Sequence, residues 1–238
     1  LPCPAKMALV RRLRFLDGYL SLFDSITTEL PLARENMRKY LARHGMVQHA
    51  EKVALLPHPV PETFAWAGGV PDKENRVITV ALDWRNPLKG GDILGKTLNR
   101  VLSENSDWKA VVVGRSSDWV ASFAAPVGSR IQALAAMPSM DILPFYQSSK
   151  ILVIPSGSEG SPNVVTEALC CGCSIVFPSL LLQLKCFSDA GSGTMAYHRT
   201  ARSLSEALNS EIAAWGRGDR HPAEMAAHWS ARYRIDAA

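Results

Sequence analysis

"KILVIPSGSEGSPNVVTEALCCGCSIVF", residues 150–177, decides the fold. It opens on a short strand-like run, residues 150–156, apolar from Ile151 to Pro155, and closes on a second, residues 174–177, apolar from Ile175. Between them the spacing predicts a helix over 162–171. Ser161 is the expected N-cap, Pro162 suits the first helical position because its missing N–H is not needed there, and Gly172 ends the run. Strands that are continuously apolar rather than alternating are covered on both faces, so strand–helix–strand reads as one unit of a parallel sheet. Such a helix opens at the carboxyl edge of the sheet, where free N–H groups and the helix dipole favour an anion, phosphate being the usual guest. Gly157 and Gly160 let backbone approach a ligand closely.

Two glutamates stand eight residues apart across the helix start, Glu159 and Glu167. Glu159, in the loop at the mouth of the crevice, is placed to accept hydrogen bonds from sugar hydroxyls. Glu167 falls in the second turn, about 7–8 Å along the axis. An acidic side chain there can take both hydroxyls of a ribose, as in dinucleotide-binding sheets. The same pair also reads as a charge complementing the dipole plus a glutamate on the helix surface, and spacing alone leaves both readings open.

Outward from this stretch the alternation continues. Strands are expected at 76–82, 109–114 and 193–198, helices at 91–105, 143–149 and near 180–189, and an irregular helical segment at 119–136. Residues 203–218 read as an amphipathic helix with a capping box, Ser203 as N-cap and Glu206 three residues on. A last helix is expected at 223–235. Upstream, residues 7–23 have helical periodicity with a basic face (Arg11, Arg12, Arg14), which reads as solvated or as membrane-facing. A short strand in "DSITTEL" (24–30), a helix from Pro31 to Gly45 and a strand at 52–56 follow. The proline-rich turn "PHPVPETF", 57–64, is the candidate hinge. The predicted class is α/β: a Rossmann-like parallel sheet with helices on both faces, its ligand at the carboxyl ends of the strands.

The 238 residues carry 47% hydrophobic and 20% charged side chains, which fits a soluble globular chain. No apolar run approaches the roughly 18 residues of a membrane span, and no secretory signal is expected. The chain starts "LPCPAKM", without an initiator Met, so it reads as a piece of a longer protein. Net charge +4 fits phosphorylated small molecules or an anionic membrane surface and is too weak to argue for nucleic acid. Of the five cysteines, Cys3, Cys170, Cys171, Cys173 and Cys186, the cluster "CCGC" has no partner Cys or His group for zinc. These read as small core hydrophobes in a reducing, cytoplasmic compartment. The six histidines form no triad or metal motif, and no Gly-x-Ser-x-Gly elbow is present.

"PSGSEGSPNVVTEALCCGCSIV" closely resembles the donor-site signature of retaining GT-B glycosyltransferases, glycosyltransferase family 4 in particular. "KVALLPHPVPETF" resembles the family's interdomain hinge. "VITVALDWRNPLKGGDIL" resembles its strand–loop–helix carrying Arg and Lys before a Gly, and "MDILPFYQSSKILVIPS" the approach to the signature. The likeness covers roughly residues 24–210. Three positions depart from the family pattern: Arg85 lies four rather than five residues before Lys89, with Trp84 in the usual place; Asn-Gly is missing from the hinge; and Ser174 replaces a proline.

The resemblance implies a C-terminal nucleotide-sugar-binding domain, residues 58–238, with residues 1–57 a remnant of an N-terminal acceptor domain. It gives Glu167 the ribose and Glu159 the donor sugar. The backbone from Gly160 through Ser161, Pro162, Asn163 and Val164 would line the sugar and diphosphate, and Arg85 and Lys89 would neutralise the diphosphate. No metal and no cofactor are expected; the nucleotide-sugar is substrate, with UDP favoured and GDP or ADP open. Selection of the base falls to backbone near 135–142. The acceptor is unknown (glycan, lipid or small molecule), and peripheral membrane association is a further expectation. The alternatives are a non-catalytic scaffold of the same fold and a sugar-nucleotide epimerase.

Overall fold

The computed structural model describes residues 4–64 and 72–233, with side chains from residue 11 onward. Cys3 and residues 234–235, the end of the expected last helix, lie outside them. The chain divides into two compact units, Leu1–His58 and Pro59–Ala238.

In the first unit α1 (Pro4–Leu20) precedes β1 (Ile26–Thr28), α2 (Pro31–Arg43), α3 (Val47–Glu51) and β2 (Val53–Leu55). β1 and β2 pair in parallel, Ile26 opposite Val53. Leu41, Met46, Ala50 and Val53 form a small core, and Leu13, Leu16 and Leu20 of α1 pack on it. Pro31 takes the first helical position of α2, and Gly45, at φ +79°, allows the chain to turn out of it. The five-residue α3 has no counterpart in the sequence reading, because one turn carries no periodicity.

The second unit is built on a six-stranded, all-parallel sheet in the order β5-β4-β3-β6-β7-β8. Its strands are β3 (Glu74–Asp83), β4 (Lys109–Arg115), β5 (Ile131–Leu134), β6 (Ser149–Val153), β7 (Ser174–Pro178) and β8 (Gly193–Ala196). The helices are α4 (Gly91–Glu104), α5 (Ser117–Ser122), α6 (Ser139–Ser148), α7 (Asn163–Cys170), α8 (Lys185–Asp189), α9 (Ala201–Gly216) and α10 (Pro222–Tyr233). Consecutive residues are buried along β4, β6 and β7, as the unbroken apolar runs require of strands covered on both faces. On one face Val77, Ala110, Val112, Ile151 and Val153 pack under Leu94, Leu98, Val101 and Leu102 of α4 and Leu204 and Leu208 of α9. On α10, Trp229 stacks edge-on against Phe187 of α8, 4.9 Å between ring centres, and donates to Ser192 Oγ at 2.8 Å.

From β3 the chain winds outward to β4 and β5. It then returns to β6 on the other side of β3 and winds outward to β8. This is the Rossmann order, and the reversal between β3 and β6 is its switch point, where the loops leaving two adjacent strands diverge and open a crevice.

Two expectations fail. Residues 119–136 are not one irregular helix: α5 ends at Ser122, a 3₁₀ turn spans Ala125–Arg130, and β5 follows as an edge strand. The edge strand is four residues long and half-exposed, so it shows neither a buried run nor a clean alternation. The capping box on α9 is also not formed. The helix starts at Ala201, and the cap is Thr200, whose side chain accepts from Ser203 N–H at 3.2 Å. Ser203 Oγ instead accepts from His198 N–H, and Glu206 pairs with Arg202.

Candidate active site at the sheet's switch point

The loop after β3, residues 84–90, braces itself. Trp84 is buried and its indole N–H donates to Val113 O at 3.0 Å, so the residue standing at the family's usual Arg position is a core anchor. Asn86 Oδ1 accepts from Leu88 N–H at 3.0 Å and Asn86 O from Lys89 N–H at 2.9 Å, a tight turn that presents Lys89. Gly90 follows at φ +71°, where only glycine is unstrained, and α4 begins.

The loop after β6, residues 154–162, runs beside it. Gly157 N–H donates to Leu88 O at 2.6 Å and ties the two loops together. Lys89 Nζ meets Glu159 Oε1 at 2.6 Å, their side chains 27% and 13% exposed. The Glu159 backbone is held from a third direction, its carbonyl accepting from Gln183 Nε2 at 2.5 Å. A cation and a carboxylate that are 70 residues apart in sequence thus meet at the switch point.

Ser161 is not the N-cap of α7. Pro162 takes that position with extended backbone (φ −74°, ψ 112°), and no side chain caps the helix. The leading N–H groups of α7 therefore stay without a side-chain acceptor at the carboxyl edge of the sheet, where an anion suits them. Gly160 and Asn163 are exposed; Ser161, Pro162 and Val164 are half-buried. A side chain at Gly160 would meet nothing within 4 Å, whereas one at Gly157 would run into the Arg199 guanidinium at 3.1 Å. A side chain at 157 fits only if the Arg199 guanidinium gives way by a few tenths of an ångström.

Glu167 points inward rather than onto the helix surface, with 8% of the residue exposed. Tyr146, fully buried on α6, donates its hydroxyl to Glu167 Oε2 at 3.2 Å, and Ser139 adds a second hydroxyl. Burial pushes the Glu167 carboxyl above its ordinary range, and these two hydrogen bonds pull it only partly back. Tyr146 is pushed well above the usual phenol range, first by burial and then by the charge of Glu167. Tyr146 is itself fixed by Lys73, whose ammonium donates to the carbonyls of Tyr146, Gln147 and Ser149 at 2.7–3.2 Å at the end of α6.

Arg85 does not join this group. Its guanidinium lies over the Trp119 ring, 5.3 Å from the centroid, and its backbone N–H donates to Asp83. The cysteines Cys170, Cys171 and Cys173 are buried and, among the described residues, in no disulfide. Burial raises Cys171 and Cys173, as in inert core positions. Among the described residues no group of three or more His, Cys, Asp or Glu could hold a metal ion. The sequence reading missed Tyr146, Ser139, Lys73, Gln183 and Arg199. All reach the site across the fold from positions with no spacing relation to Glu159 or Glu167.

Solved structures share this architecture. WaaG, a glycosyltransferase involved in lipopolysaccharide biosynthesis, superposes with TM-score 0.66 at 16% identity over 87% of this chain and 58% of its own. Anabaena HepE, solved with UDP, gives 0.70 at 15% over 94% of this chain and 64% of its own. The C-terminal domain of the group 1 glycosyl transferase LpcC from Francisella tularensis gives 0.59 at 17% over 74% of this chain and 99% of its own. The chain thus spans about three fifths of the two longer relatives. None of the curated proteins matches it. Residues 74–212, more than half of the sequence, match the family described as glycosyl transferases group 1, and the chain belongs to that family.

Proposed function

We propose that the second unit is the donor half of a retaining GT-B glycosyltransferase of family 4, moving a hexose from a nucleotide-sugar to an acceptor hydroxyl. The observation that carries this reading is the meeting of Lys89 and Glu159 at the switch point, in the loop that leads into the uncapped start of α7, the helix that carries the buried Glu167. In this reading Glu167 takes the ribose hydroxyls and Glu159 the hydroxyls of the donor sugar. Lys89 and the α7 N–H groups face the diphosphate, and the backbone of Gly160 to Val164 lines it. UDP is favoured as carrier because HepE has been solved with UDP and with UDP-glucose.

In the transfer the bond from the anomeric carbon to the diphosphate oxygen breaks and its electron pair leaves with the phosphate. The acceptor oxygen bonds to the anomeric carbon on the face the phosphate left, and the acceptor's proton goes to the departing phosphate. Negative charge grows on that phosphate in the transition state, so fixed donors aimed at it lower the barrier, and this role needs no metal. Arg85, turned onto Trp119, reaches the diphosphate only after swinging away from that ring.

Residues 1–57 read as the end of an acceptor domain. The basic α1, with exposed Phe15 and Tyr19 beside Arg11, Arg12 and Arg14, supports contact with an anionic membrane surface. No helix among the described residues is long and apolar enough to cross a membrane. The free thiols fit a reducing, cytoplasmic compartment.

The test is a thermal-shift titration of the 238-residue chain with UDP, GDP and ADP, each alone and as its glucose conjugate. A ligand at 100 times its Kd adds about 2.7 kcal/mol. That is about 5–10 °C for a domain of this size. A shift with one base names the donor class. No shift with any of them leaves the scaffold reading in its place.

A further inference from the structure

Arg199 stands between the two loops of the site. Its Nε donates to Pro155 O at 2.8 Å, on the loop that carries Glu159. Its Nη2 donates to Pro87 O at 2.8 Å and Leu88 O at 3.3 Å, on the loop that carries Lys89. Each loop is stripped of side chains where the guanidinium lies. A Cβ on Gly90 would sit 2.7 Å from Nη2, and one on Gly157 3.1 Å from Cζ. A planar fork donates to the two loops from two separate nitrogens, whereas a lysine ammonium has its three donors on one atom and serves acceptors that cluster around a single point, as Lys73 does at the end of α6. The arginine is held from behind by the frame of the sheet. It follows β8 and precedes the Thr200 cap of α9, with His198 N–H and Ser203 Oγ closing the turn at 3.0 Å.

We propose that Arg199 is a positioning residue of the donor site: by bridging carbonyls of both loops it sets Lys89 against Glu159. The sheet does not depend on it, since β3 and β6 pair along their own register, Val77 opposite Ile151 and Ile78 opposite Leu152. Its consequence for ligand affinity rests on the nucleotide-sugar reading; its consequence for the loops does not.

The experiment compares the 238-residue chain with Arg199→Ala and Arg199→Lys, with circular dichroism as a check on folding. Amide exchange at Gly157, whose N–H bonds Leu88 O, reports loop docking; Ile78 and Leu152 report the sheet. The expected result for Arg199→Ala is a loss of Gly157 protection of roughly tenfold or more with the sheet amides unchanged, local opening being independent of the global transition. Arg199→Lys fails to restore it. Undiminished Gly157 protection in Arg199→Ala overturns the proposal. UDP titration then reads coupling. Lys89→Ala weakens UDP binding in the parent and has little further effect in the Arg199→Ala background, because Lys89 is already misplaced. An equal loss in both backgrounds overturns the positioning role. If the parent binds GDP or ADP instead, the same coupling is read with that nucleotide; if it binds none of the three, the nucleotide-sugar reading fails, and the Gly157 exchange alone decides whether Arg199 holds the loops.

Discussion

Glu211 and Glu167 are both buried in the second unit, 0% and 8% exposed, and their surroundings differ. Glu211 on α9 receives a forked pair from Arg220, Nε at 2.6 Å and Nη2 at 2.9 Å, and a hydroxyl from Thr194 on β8. Its charge is matched inside the protein, and the pair pins the α9–α10 turn to the sheet. Among the described residues Glu167 has two neutral hydroxyls and no paired cation, and its carboxyl is pushed up by burial. A carboxylate that is buried and left short of partners opposes folding, and such groups gather where a ligand completes them. Glu211 is built into the fold, while in the function proposed above Glu167 is kept for a ligand.

The largest effect expected from breaking this contrast is at Arg220. Arg220→Ala strands the Glu211 carboxylate and costs about 3–5 kcal/mol of stability, and Glu211→Gln in the same chain recovers most of the loss. Denaturant unfolding of the single and double variants checks both statements. A loss below about 1 kcal/mol would place Glu211 with ordinary surface pairs. Next, Glu167→Ala weakens UDP by about 1.5–3 kcal/mol, the worth of hydrogen bonds to a charged acceptor. Calorimetric titration gives the value directly. Smaller again, Glu159→Ala spares free UDP and weakens UDP-glucose by about 1–2 kcal/mol. Equal losses for the two ligands would erase the division of labour between the glutamates.

The smallest effect has the opposite sign. Glu167→Gln keeps the shape and removes the buried charge, so it raises Tm at pH 7 by about 2 °C. The pH dependence follows from the raised carboxyl. The folded chain holds this proton more tightly than the unfolded chain, so the group favours folding below the ordinary value of 4.5 and loses that contribution as pH rises through its higher folded value. The advantage of Glu167→Gln is therefore greatest at neutral pH and fades on acidification toward 4.5. An advantage that stays constant across this range would assign it to packing.

The sheet was legible because β3, β4, β6 and β7 are unbroken apolar runs alternating with periodic helices, a pattern with one economical solution. The edge strand β5 was not, since a short strand with exposed residues leaves no buried pattern. The carboxylates stood out because they flank a Gly-Ser-Pro loop after a strand, and Lys89 because it precedes a glycine pair in a strand–loop–helix resembling that of the family. That Glu167 faces inward was open in the sequence, where eight helical residues do not tell the buried side from the wet one. Tyr146, Arg199 and Arg220 were silent for another reason. Each acts on backbone or on a carboxylate brought near only by the strand order, and no local spacing encodes that meeting. The same holds for Arg85: its spacing near Lys89 suggests a shared ligand, and the stacking on Trp119 is a tertiary contact.

The claim that Glu167 is kept for a ribose is tested most directly by titrating UDP and 2′,3′-dideoxyuridine diphosphate into the parent chain and into Glu167→Ala. The account predicts that the parent prefers UDP by about tenfold or more and that the preference vanishes in the variant. A parent that binds both ligands equally, or a variant that keeps the preference, would contradict it.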